Sequence, residues 1–351
     1  VLFDTTPKEY PSDLFDRQKE LGMLEESIRL KEKLVIIYGV RRVGKTSLLH
    51  VFLNEKKVPY ILVDVRDIYS ENGYISLPAI CEALISEFER FTGRLGFNER
   101  NIFDGDSHES LTKVLRTINE WSANKRMNFV IAFDEAQYLR LGGKTKYDGI
   151  IAWSLDNLSN VGYILTGSEI GMLKDFLNYE DAKAMLYGRF KTEITLGRFD
   201  GELGKQFLRK GFKEQKLKIE EAELDNAIAQ LDGIAGWLTY YGYYRGVKKL
   251  PYSKAMENVY NEGSKIVLDE VNRLLSKSRG RYLSLLKAIA EGIGSWAEIK
   301  RYITAKSGSI SDTRLSSLLD SLIKFGFIEK IENTYKITDP MLLHEMKKLS
   351  L

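Results

Sequence analysis

Cysteine is nearly missing: among 351 residues there is one, Cys81. An intramolecular disulfide framework is therefore excluded. The setting Leu77-Pro78-Ala79-Ile80-Cys81-Glu82-Ala83-Leu84-Ile85 reads as a buried helical position rather than a nucleophile. Histidine is almost as scarce, and His50, His108 and His344 are too scattered to form a metal constellation. No stretch approaches the ~18 apolar residues that a membrane span needs, and Val1 to Tyr10 carries no signal-peptide pattern. A cytoplasmic chain with no membrane partner is expected. A large excess of one charge is lacking too. The net charge of +3 is too small for the whole chain to advertise a nucleic-acid partner. Arg279 to Leu351 has twelve Lys/Arg against eight Asp/Glu, which is +4 and leaves −1 elsewhere, so any basic bias is local. What remains, 44% hydrophobic and 29% charged, is globular material for two or three domains.

Against these absences stands one dense stretch. Leu34-Val35-Ile36-Ile37-Tyr38 is a β-favouring run that enters Gly39-Val40-Arg41-Arg42-Val43-Gly44-Lys45-Thr46, and Ser47-Leu48-Leu49 leaves it with a helix-compatible pattern. Gly39 to Thr46 fits G-x-x-x-x-G-K-[ST], the P-loop. The glycines let successive backbone N–H groups turn inward as an anion nest, and the new helix adds its positive end. Lys45 would reach the β- and γ-phosphates, and the Thr46 hydroxyl would coordinate a Mg²⁺ that keeps several waters. Strand, loop and helix in this order predict a nucleoside-triphosphate site formed by Gly39, Arg41, Arg42, Val43, Gly44, Lys45, Thr46 and Ser47.

A second apolar run, Asn128-Phe129-Val130-Ile131-Ala132-Phe133, ends in Asp134-Glu135-Ala136-Gln137. A buried strand that delivers two acids to a sheet edge is the Walker B pattern. Asp134 would hold the Mg²⁺ through water, and Glu135 would orient and deprotonate the attacking water. Together the two motifs predict an α/β fold with a parallel sheet and a ligand at the carboxyl ends of its strands. Other strands are expected at Pro59 to Val65, followed by a polar loop with a turn at Ser70 to Gly73, and at Val161 to Leu165 and Thr192 to Leu196. Helices are expected at about Leu21 to Leu30, capped by Asp13 or Asp16, and at Leu77 to Phe91 and Ser110 to Ala123; Gly93 to Ser107 reads as an exposed excursion. From Phe199 the β-like runs stop. Helical periodicity covers Glu202 to Phe212, Glu220 to Leu231 and Met256 to Leu275, interrupted at Gly233 to Leu238. Arg279 to Leu351 reads as three helices and a hairpin about Asn333.

Phe15-x-Arg17-x-x-Glu20-Leu21 just upstream of the P-loop resembles the opening motif of the archaeal-type ATPase family, a branch of the AAA+ and STAND P-loop ATPases. The resemblance implies ATP or ADP with Mg²⁺ as ligands, and it makes Leu14, Phe15 and Arg17 candidate adenine contacts. It implies a sensor between the two Walker strands, at the γ-phosphate or the water, placed at Ser168 with Thr166 as the other candidate; the plain alternative is a turn from strand to helix. It also implies an arginine trigger at Arg189 in Gly188-Arg189, acting in cis or in trans, with a surface salt bridge as the alternative. In STAND members a Gly-x-Pro motif touches the nucleotide, but Ala235 stands where that proline would be.

Three parts are expected: a P-loop ATPase core at 1–198, a helical lid at 199–278 and a winged helix-turn-helix at 279–351. In a DNA reader the third helix of the last part would offer Ser311, Thr313, Arg314 and Lys324, with Lys330 and Lys336 on the wing. The expected function is an ATP-hydrolysing molecular switch that docks a protein partner, its own core or another copy of itself. The alternative is an ATP-controlled duplex-DNA-binding protein. No Asn-Lys-x-Asp guanine-reading motif is present, which argues against a GTPase.

Overall fold

Leu34, Val35, Ile36, Ile37 and Tyr38 are all buried, without the alternation of a half-exposed strand. A parallel strand covered on both faces requires this. The computed structural model describes residues 1–55, 58–94, 110–275 and 278–349. Most of the excursion expected at Gly93 to Ser107, and His108, fall outside them. The chain divides into two units, Pro7–Ser168 with Met172–Leu196, and Val1–Thr6 with Glu169–Gly171 and Gly197–Leu351.

The first unit carries α1 (Gln18–Arg29), β1 (Leu34–Tyr38), α2 (Lys45–Glu55), β2 (Tyr60–Asp64), α3 (Val65–Asn72), α4 (Leu77–Arg94) and α5 (Leu111–Asn124). There follow β3 (Phe129–Asp134), a 3₁₀ turn (Ala136–Leu141), α6 (Tyr147–Asn157), β4 (Val161–Gly167), α7 (Ile170–Leu177) and β5 (Thr192–Thr195). The five strands lie in the order β2-β3-β4-β1-β5, all neighbours parallel. Val35, Ile37, Leu48, Leu49, Phe52, Val130, Ala132 and Ile164 share one buried cluster with Leu24 of α1. Elsewhere in this unit Trp121 stands edge-on to both Phe88 and Phe129, and Phe88 lies tilted against Phe129. Each buried valine, leucine, isoleucine or phenylalanine side chain here contributes about 1.5–3 kcal/mol of burial free energy.

Two local expectations are corrected. The polar stretch after β2 is not a loop: Asp64 caps α3 by accepting from the Arg66 N–H at 2.9 Å, and the helix runs on through Ser70 to Asn72. Nor does Asp13 or Asp16 cap α1. Arg17 holds the N-cap position in a left-handed conformation and cannot cap the helix with its side chain, because a guanidinium has no acceptor; its Nη2 instead donates to the Val43 carbonyl.

The second unit contains α8 (Gly201–Glu214), α9 (Glu221–Leu231), α10 (Ala235–Gly242), a π-helical turn (Tyr243–Val247) and α11 (Tyr252–Leu274). Then come α12 (Arg279–Ala290), α13 (Trp296–Ser307), α14 (Asp312–Lys324), the hairpin β6 (Ile328–Ile331) and β7 (Thr334–Ile337), and α15 (Pro340–Lys348). The break in helical periodicity is thus confined to Asp232, Gly233 and Ile234, and the helix resumes at Ala235. Within this unit α15 packs on α11 and α12. The Trp237 indole donates to both carboxylate oxygens of Asp339 at 3.2 Å. Phe3 is fully buried, its ring 5.8 Å from Phe207 and 4.9 Å from Phe212. Among the described residues no helix is long and apolar enough to cross a membrane.

Candidate active site

The register of the sheet brings the two motifs together. β4 lies between β1 and β3, pairing Tyr38 with Gly167 and Phe133 with Leu165, so the loop after β1 and the acids at the end of β3 open at one edge. Gly39 leaves β1 where no side chain fits: an added Cβ would lie 2.8 Å from Val43 Cγ2 and 2.9 Å from the Leu196 carbonyl oxygen. Arg42 and Gly44 both have positive φ, 66° and 101°, which bends the loop into α2. Arg41, Arg42, Gly44, Thr46 and Ser47 are partly exposed along this turn, while Val43 and Lys45 are buried.

Lys45 Nζ donates to the carbonyls of Gly39 at 2.9 Å and Val40 at 3.1 Å. Burial pulls its pKa below the usual lysine value, although the Glu135 and Asp134 carboxylates favour the charged form. The Thr46 hydroxyl donates to Asp134 Oδ2 at 2.7 Å. Asp134 Oδ1 accepts from the Thr166 hydroxyl and, at 3.1 Å, from the Glu135 backbone N–H. An alcohol and a carboxylate set side by side form a hard-oxygen pair of the kind that Mg²⁺ takes. The donor set at Thr46 and Asp134 therefore fits that ion.

Glu135 stands in the left-handed region at φ 53° and ψ 45°, where a residue with a Cβ is uncommon. Its Oε2 accepts from the Ser168 hydroxyl at 2.6 Å, the Ser168 N–H at 3.3 Å and the Gln137 side-chain amide at 2.5 Å. Burial alone would raise this carboxyl. The Lys45 ammonium and the hydrogen bonds from Ser168 and Gln137 outweigh it and hold the group below the usual carboxylate range. Ser168 thus sits on Glu135 and Thr166 on Asp134, so both sensor candidates touch an acid of the β3 motif.

Of the other expected residues, one reaches the phosphate loop. Arg17 is buried, and its Nη2 donates to the Val43 carbonyl at 3.2 Å, inside the phosphate loop. Leu14 packs against the cluster beneath α2, and Phe15 is half-buried. Arg189 donates to Asp156 through Nε at 3.2 Å and Nη2 at 2.5 Å, and to the Met185 carbonyl. Among the described residues nothing joins it to Lys45 or Glu135. In the second unit Ser311 caps α14 by accepting from the Arg314 N–H at 3.3 Å, and Thr313 is exposed. Arg314 reaches Ser278 at 3.0 Å.

Three residues near the acids had no assigned role in the sequence. Gln137 was visible only as the end of the β3 motif. Asp64 pairs in register with Asp134 at the end of β2, and Arg66 bonds to Asp64 at 3.2 Å. Burial pushes the Asp64 carboxyl up to about 6, opposed by Arg66 and assisted by Asp134. An acid at the end of a neighbouring strand was the available signal.

Residues 276–338 match the C-terminal winged helix-turn-helix domain of MCM proteins. The Walker-type ATPase PABY2304 of Pyrococcus abyssi is 36% identical, the match covering 99% of this chain and 100% of that one at a TM-score of 0.89. The ORC2 protein of Aeropyrum pernix is similar in fold. Its ADPNP–ADP complexes give a TM-score of 0.65 at 16% identity over 98% of this chain and 96% of that one. Its ADP form gives 0.58 at 14% identity over 99% and 98%. No curated protein shows a significant match. Residues 14–240 match the ATPase domain found predominantly in Archaea, and with a P-loop, a β3 acid pair and a winged helix, the chain belongs to that archaeal ATPase family.

Proposed function

We propose that this chain binds ATP with Mg²⁺ and hydrolyses the β–γ phosphoanhydride bond, acting as a nucleotide-dependent molecular switch. One observation carries the reading: Lys45, Thr46, Asp134 and Glu135 converge at the carboxyl ends of β1 and β3, with Glu135 held ionised. The N–H groups of residues 39–47 would take the phosphates, and Lys45 would exchange the Gly39 and Val40 carbonyls for phosphate oxygens. Mg²⁺ beside Thr46 and Asp134 would supply charge neutralisation on the β- and γ-phosphates. Glu135 would orient a water in line with the γ-phosphorus and take its proton as the bond to the bridging oxygen breaks, leaving ADP and phosphate. Thr166 would keep Asp134 in place. Arg189 would act as a trigger by leaving Asp156, and Leu14 and Phe15 would flank the adenine.

The experiment is steady-state ATP hydrolysis with Mg²⁺ for the unmodified chain, Lys45→Ala and Glu135→Gln. Loss of ATP binding in the first variant, and ATP binding without turnover in the second, is the expected result. An unmodified chain that fails to bind ATP overturns the reading.

A second reading, ATP-controlled binding of duplex DNA, is favoured by the winged helix of residues 276–338 and by the exposed Thr313, Arg314, Lys330 and Lys336. The mild local charge predicts a shallow salt dependence. Absence of duplex binding at low salt, with ATP and with ADP, would remove this reading and leave the switch.

A further inference from the structure

Gln137 is 1% exposed, and its amide nitrogen lies 2.5 Å from Glu135 Oε2. Its amide oxygen is buried with no hydrogen-bond partner among the described residues. Reversing the amide would set that oxygen against a carboxylate, so the nitrogen must face Glu135. A buried side chain that leaves its own acceptor unpaired to donate once is badly explained by packing.

The surroundings are built to hold that amide. The left-handed backbone at Glu135 and the 3₁₀ turn that starts at Ala136 fold Gln137 back toward the carboxylate two residues earlier. Across the sheet, Gly167 leaves the space open, because a Cβ there would lie 2.9 Å from the Gln137 amide oxygen and 2.6 Å from Leu173 Cδ2. Gly167 precedes Ser168, whose hydroxyl and N–H bind the same Oε2. Three donors thus converge on one carboxylate oxygen. Among the described residues Glu135 Oε1 receives no hydrogen bond.

We propose that Gln137 is a positioning residue: with Ser168 it pins Oε2 of Glu135 so that Oε1 is the edge offered to the attacking water. The inference rests on Glu135 acting as the base, as in the proposed function. Without Gln137 the carboxylate would still pair with Ser168 but would turn about that contact, and the water-binding edge would be held for a fraction of the time. Turnover would fall while nucleotide affinity, set by the P-loop, would not.

The test compares Gln137→Met, similar in length but without a donor, and Gln137→Glu, similar in shape with the donor replaced by an acceptor. Fluorescent-nucleotide titration gives ATP affinity, initial rates give kcat, and thermal melting reports folding. Expected are a kcat at least tenfold lower for Gln137→Met, lower still for Gln137→Glu, and an ATP Kd within about twofold for both. In a Glu135→Gln background, Gln137→Met is expected to add nothing further. An unchanged kcat in a folded variant overturns the inference, and so do equal changes in kcat and Kd or an undiminished effect in the Glu135→Gln background. If Gln137→Met does not fold, Gln137→Glu decides by the same criteria, and failure of both to fold assigns Gln137 to stability and overturns the inference. A Glu135→Gln chain that turns over normally removes the reading of Glu135 as base, an outcome distinct from normal turnover in Gln137→Met alone.

Discussion

The Thr46 hydroxyl donates to Asp134 Oδ2 at 2.7 Å, joining the first turn of α2 to the last residue of β3. The two residues are 88 positions apart. Their meeting depends on β4 pairing with both β1 and β3, since that insertion sets the spacing between the phosphate loop and the acids. Thr166 of β4 completes the arrangement by donating to the other oxygen of Asp134. A carboxylate fixed by two hydroxyls is oriented before any ligand arrives.

Thr46→Val removes the hydroxyl and keeps the branched shape. Addition of Mg²⁺ is expected to tighten ATP binding to the unmodified chain and to do so far less in the variant. Hydrolysis should fall at least tenfold. Removing Mg²⁺ with EDTA should bring both chains to the same weak affinity. Nucleotide titration with and without EDTA measures this, and equal Mg²⁺ dependence in the two chains would count against Thr46 as a ligand.

Arg17 supports the phosphate loop through the Val43 carbonyl. A charge-assisted hydrogen bond of this kind contributes about 1.5–3 kcal/mol. Arg17→Ala is expected to weaken ATP and inorganic triphosphate binding by a similar factor, about tenfold, because the loop and not the base is affected. Competition binding with triphosphate makes the comparison. A loss confined to ATP would instead place Arg17 on the adenine.

Much of this centre was legible in the sequence, because the runs Leu34 to Tyr38 and Phe129 to Phe133 are each apolar and end in the loop and the acids that meet at the sheet edge. Local pattern also marked α14 and the β6–β7 hairpin. Strand order was not legible in local pattern: the place of β4 between β1 and β3 follows from pairings between distant segments, and only the family resemblance, which sets the sensor between the two Walker strands, implied it. The helix α3 was missed because it begins directly on the β2 terminus, with Asp64 as the shared residue, and leaves no linker to read. For Gln137 the obstacle was conformational. Only the left-handed backbone at Glu135 turns an ordinary i, i+2 pair into a hydrogen bond. Phe3 lies some two hundred positions from Gly211, and no local signal connects them.

That contact makes its own prediction. A Cβ at Gly211 would come within 2.2 Å of the Phe3 ring, and one at Gly242 equally close, so the ring occupies a slot that two glycines leave open. Phe3→Ala would empty it. Removal of a buried phenylalanine costs about 3–5 kcal/mol, and the loss should appear in chemical denaturation followed by tryptophan fluorescence. A change below about 1 kcal/mol would mean that the slot closes on its own.

Asp64 gives the molecule a pH dependence of defined sign. Burial raises its carboxyl to about 6, with Asp134 adding to the effect and Arg66 opposing it. The unfolded chain should titrate near the ordinary aspartate value of about 3.9. Because the folded state holds this proton more tightly than the unfolded one, the contribution to stability is fully present below about pH 4 and is lost as the pH rises through about 6. Asp64→Asn keeps a side chain able to cap α3 but removes the titration. The melting temperature of the unmodified chain, relative to that of Asp64→Asn, should therefore fall between pH 4 and pH 7 and level off above it. A relative melting temperature that rises over this interval would show that the Arg66 contact, at 3.2 Å, outweighs burial and holds the carboxylate ionised.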